Sequence, residues 1–147
     1  EYDRGMQVNL VTGSVIPAQL YYKAQRLRDM VRHQVMAVLQ KVDVLALPTT
    51  HEPAPIVRKR TPLMSKQDAL TRTPPRRNFT GVFNLSNLPA MSLPCGFVSA
   101  EGKDLPIGLQ LAARPFEDGL LLRVGHAYEQ ATLWHTRRPP NICFSNG

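Results

Sequence analysis

The sequence predicts an α/β fold, a small sheet with helices packed against it, and three observations carry that expectation. Apolar residues recur every three or four positions between Pro17 and Lys41, the period of one stripe on a helix. A short apolar run bounded by Pro48 follows immediately, too short for a second helix and suited to a buried strand. Farther on, Ile107, Leu109 and Leu111 alternate with Gly108, Gln110 and Ala112, the period of a strand.

Taken in order, the first helix is expected to bury Leu20, Ala24, Leu27, Val31, Val35, Val38 and Val42 and to turn Lys23, Arg26, Arg28, Asp29, Arg32 and Gln40 outward. Ser14 is placed to cap its free amides, and Pro17 sits where a missing N–H costs nothing. Val42 to Pro48 is the strand. Residues 49–77, with Pro53, Pro55, Pro62, Pro74 and Pro75 among clustered basic side chains, read as a loop, with a short helix around Lys66 to Leu70 allowed. Order returns from Asn78 to Asn87, where Leu88-Pro89-Ala90 takes the chain out of a helix, and Met91 to Pro94 reads as extended. A turn over Glu101-Gly102-Lys103-Asp104, within a connection of about eight residues, would let this stretch pair antiparallel with the strand through Ile107. A last helix, capped by Asp118, would bury Leu121, Val124, Tyr128 and Ala131.

Composition narrows the function classes. A chain of 147 residues, 43% hydrophobic and 20% charged, suits one core, hence one domain or a piece of one. With no long apolar run and no signal-like start, a soluble, cytoplasmic protein without a membrane span is expected. The net charge of +7 is spread over separate clusters that no aromatic residues interleave, so nucleic acid is not an expected partner. Cys95 and Cys143 read as reduced thiols. His33, His51, His126 and His135 lack the spacing of paired metal ligands, so neither metal nor cofactor is expected. None of Ser14, Ser65, Ser86, Ser92, Ser99 or Ser145 sits in a nucleophile elbow, and the dispersed glycines form no phosphate-binding loop. Asn78-Phe79-Thr80 and Asn84-Leu85-Ser86 fit the glycosylation pattern, which carries no weight without a secretory signal.

An ordered set of motifs adds to this reading. Ile16-Pro17-Ala18-Gln19-Leu20-Tyr21-Tyr22-Lys23-Ala24-Gln25-Arg26-Leu27-Arg28 leads to Val42-Asp43-Val44-Leu45-Ala46-Leu47-Pro48-Thr49. Then come Phe79-Thr80-Gly81-Val82-Phe83-Asn84-Leu85-Ser86-Asn87-Leu88-Pro89-Ala90-Met91-Ser92-Leu93-Pro94-Cys95-Gly96-Phe97, Leu105-Pro106-Ile107-Gly108-Leu109-Gln110-Leu111 and Pro115-Phe116-Glu117-Asp118. The set closes on Ala127-Tyr128-Glu129-Gln130-Ala131-Thr132. This series resembles the C-terminal third of amidase-signature enzymes.

The resemblance implies that residues 1–147 are the C-terminal fragment of a single amidase domain, with 49–77 a proline-rich basic loop within it. It implies a mixed β-sheet flanked by helices, segments that line part of an acyl-binding cavity, and a small-molecule amide as substrate of the full-length form. The family's serine nucleophile works through a second serine and a lysine base. No Gly-Gly or Ser-Ser pair occurs here, and Lys23, Lys41, Lys59, Lys66 and Lys103 match no catalytic motif, so no catalytic residue is carried over. Asn78, Phe79 and Thr80 are the expected substrate contacts. Asn78 stands where the A subunits of glutamine amidotransferases place an acidic residue, which points to neutral or apolar amides. The alternative is a truncated paralogue acting as an interaction module. Strand edges near Val44, Leu93 and Leu109 would be left open in a fragment, so a homo-oligomer is a further expectation.

Overall fold

The computed structural model describes residues 4–55, 79–100 and 102–138. Their elements are α1 (Arg4–Ser14), α2 (Ala18–Leu39), β1 (Leu45–Pro48), α3 (Thr80–Ser86), β2 (Ala90–Ala100), β3 (Lys103–Ala112), α4 (Asp118–Ala131) and a 3₁₀ turn at Trp134–Thr136. The strands form one antiparallel sheet in the order β1-β3-β2. The short helix expected near Lys66, and the loop beyond residue 55, lie outside the described residues; residues 49–55 carry no regular structure.

The α2 boundaries follow the sequence signals, but Ser14 does not cap its start. Residues 4–14 form a helix of their own, and Ser14 belongs to the end of it, its hydroxyl donating to the Val11 carbonyl at 2.8 Å. The residue before α2 is Pro17, in an extended conformation with no side-chain cap. Its fixed φ supplies the entry geometry instead.

The packed stripe of α2 also differs from the expected one. Val31 and Val35 turn inward as predicted, joined by Met36 and by Leu39, which is fully buried. Leu20, Leu27 and Val38 are 57%, 51% and 48% exposed. The rotation has a chemical cause in Arg28 and Arg32, assigned to the outer face by polarity but turned toward α3. Arg28 Nε donates to the Leu85 carbonyl at 2.8 Å and its NH2 to Asn87 Oδ1, while Arg32 NH1 donates to the Ser86 carbonyl. The last carbonyls of a helix have no internal donors and attract cations. These arginines satisfy that end of α3, where Asn87 takes the left-handed conformation at φ 52°.

Strands β2 and β3 pair from Ala90↔Ala112 to Ala100↔Lys103, so the expected antiparallel pairing holds, with a two-residue connection at 101–102 rather than about eight residues. Gly102, at φ 73°, supplies the left-handed conformation that such a tight turn requires. Between Pro94 and Gly96 the register shifts, and Cys95 occupies the irregularity with its thiol 3.6 Å from the Ile107 carbonyl.

Both sheet faces are covered near the C-terminal end of β3. On one, Ala112 packs with Leu39, Phe83 and Leu88 from α2, α3 and the segment after it. On the other, Leu111 and Leu93 pack with Ala113 and with Leu121 of α4. Gly125 permits that second contact, because a Cβ there would lie 2.8 Å from Met91 Cε. Of the α4 residues expected to be buried, Leu121 is, Val124 and Tyr128 are half-buried, and Ala131 is exposed because it lies past the sheet contact. Asp118 opens the helix, with no side-chain cap bond from Glu117 before it; the carboxylate in the first turn acts through the helix dipole.

Arg114 ties the ends of these elements together. Its NH1 donates to the carbonyls of Leu39 at 2.8 Å and Val42 at 3.2 Å, NH2 meets Asp43 Oδ1 at 3.0 Å, and Nε meets Glu117 at about 3.0 Å. The hydrogen bond to Asp43, then that to Glu117, holds the guanidinium above even its ordinary pKa. One charged fork thus joins the end of α2, the approach to β1 and the approach to α4.

Candidate functional site

Of the three expected substrate contacts, Asn78 lies outside the described residues, while Phe79 and Thr80 stand at the start of α3, both half-buried. The Phe79 ring faces that of His51, with centroids 5.7 Å apart and planes tilted by 32°. Residue spacing offered no reason to join His51 to this site. The chain brings it there because residues 49–55 turn immediately after β1, and Thr50 Oγ1 braces that turn by donating to the Glu52 carbonyl at 2.9 Å.

His51 and Glu52 also border a cavity of about 430 Å³ whose apolar wall includes Pro48, Val98, Ile107 and Leu109. Beside it, Thr49 is fixed twice. Its backbone N–H donates to the Gly108 carbonyl at 2.8 Å, and its hydroxyl lies 2.6 Å from that of Ser92. This hydroxyl bridge runs from the end of β1 to β2 across the central strand at Gly108. A Cβ on Gly108 would lie 2.6 Å from Thr49 Oγ1 and 2.8 Å from Ser92 Oγ, so only a glycine admits so close an approach. One pair farther along, Gln110 is 5% exposed, and its Oε1 has no hydrogen-bond partner among the described residues.

The arrangement can bind and position, but it holds no assembled nucleophile among the described residues. Ser14 and Ser86 donate to the Val11 and Val82 carbonyls, and Ser92 shares its bond with Thr49, so none of these hydroxyls is set against a basic side chain. No cluster of three or more histidine, cysteine or acidic side chains that could hold a metal occurs among the described residues. No helix among them is long and apolar enough to cross a membrane.

The family described as Amidase matches residues 4–122. The glutamyl-tRNA(Gln) amidotransferase A subunit of Synechococcus sp. (strain JA-2-3B'a(2-13)) is 42% identical over 120 residues, covering 82% of this chain and 21% of that protein. Its namesake from Chloroflexus aggregans is 41% identical over 121 residues, covering 81% and 22%. This chain therefore spans about a fifth of the length of the curated relatives it matches.

Among solved structures, 6-aminohexanoate cyclic dimer hydrolase superposes with a TM-score of 0.54 at 34% identity, over 76% of this chain and 24% of that one. A bacterial aryl acylamidase of the amidase-signature enzymes superposes at 0.67 over 95% of this chain and 29% of that one; at 22% identity it speaks for the fold alone. By sequence over most of its length, and by fold, the chain belongs to the amidase-signature family.

Proposed function

We propose that these residues form the substrate-facing C-terminal part of a cytoplasmic amide hydrolase, which cleaves carbon–nitrogen amide bonds to a carboxylate and ammonia or an amine. The match to the amidase family over residues 4–122 carries this reading. In it, the serine–serine–lysine relay comes from a segment other than this one, and Asn78, Phe79 and Thr80 contact the substrate. The packing of Phe79 against His51, at the border of the cavity, supports that assignment.

The uncharged Asn78 favours neutral or apolar amides, since a carboxamide cannot neutralise an ammonium group as a carboxylate does. A second reading, glutamine as amide donor within an aminoacyl-tRNA amidotransferase, is favoured by the names of the relatives above. The test is to assay the natural gene product carrying these residues for ammonia or amine release from benzamide, acetanilide, propionamide and glutamine. Turnover of the neutral amides above glutamine is the expected result. Preference for glutamine coupled to tRNA amidation would overturn the substrate class, and no turnover of any amide would overturn the hydrolase and leave an interaction module.

A further inference from the structure

We draw no further inference here: the strongest candidate, the turn from Arg114 to Glu117 between β3 and α4, which holds Phe116 98% exposed at φ 66°, carries none because nothing in the structure shows what covers that side chain.

Discussion

Replacing Gly108 with alanine tests whether the hydroxyl bridge from Thr49 to Ser92 passes over the central strand as closely as the geometry requires. The added methyl would lie 2.6 Å from Thr49 Oγ1, 2.8 Å from Ser92 Oγ and 3.1 Å from Thr49 Cβ. Ordinary contacts between such atoms are about 3.5 Å or longer. The Ser92 hydroxyl can swing away, but Thr49 is held at its backbone by the 2.8 Å bond to Gly108 itself. Relief therefore has to break the hydroxyl bridge and displace the end of β1. Overpacking costs about 1–3 kcal/mol and the lost hydrogen bond about 1, against a gain of roughly 0.4–1 from the stiffer unfolded chain.

We expect net destabilisation of about 1–3 kcal/mol, which at a urea dependence of about 1–3 kcal/mol per molar lowers the unfolding midpoint by about 1 M. A double-mutant cycle separates this clash from generic damage. Thr49→Ala removes the atom at 2.6 Å, so Gly108→Ala should cost about 1 kcal/mol less in that background. An unchanged midpoint for Gly108→Ala, or a coupling of zero with Thr49→Ala, would refute the close crossing.

Leu39, fully buried where α2 meets Phe83, Leu88 and Ala112, should lose about 2–5 kcal/mol on truncation to alanine, measured by the same urea titration. A loss below about 1 kcal/mol would mean that α2 is not seated on the sheet as described. Sedimentation of residues 1–147 should show self-association that weakens when Leu20 and Leu27, more than half exposed on α2, are both changed to glutamine. A monodisperse monomer before and after that change would remove the exposed stripe as its cause.

What was legible in the sequence was periodicity, and what was not was the choice of face. The period of 3.6 marked α2 and α4 to within a few residues, and the period of 2 marked β3, because both follow from where successive side chains point. The stripe chosen for α2 was wrong in part because binary polarity ranks Leu20 and Leu27 inside and Arg28 and Arg32 outside. The carbonyls at the end of α3 reverse that order for the arginines, and nothing in the local sequence announces that α3 ends against them. Helix α1 carried no apolar period strong enough to mark it. At the candidate site, Phe79 and Thr80 are expected from the family motif, whereas nothing in the sequence pointed to His51 or to the Thr49–Ser92 bridge. Both depend on contacts between residues far apart in the chain, which neither composition nor spacing encodes.

These misses share a physical origin that bears on the site itself. The cavity border is not a motif but the product of three contacts that tie the strands together: the Thr49 backbone bonded to Gly108, the hydroxyl bridge to Ser92, and the irregularity at Cys95. Each joins residues distant in the chain, and each is uncharged. Together they set where the 50–53 turn leaves the sheet, and so where His51 meets Phe79. The charged fastenings lie elsewhere, with Arg114 at the other end of β1 and with Arg28 and Arg32 at the end of α3. Charge in this fold therefore holds elements together, while the cavity is lined mostly by aliphatic side chains, with Thr50, His51 and Glu52 at its border. Among the described residues, Glu52 is the one acidic side chain on that lining, and no lysine or arginine stands there to pair with it.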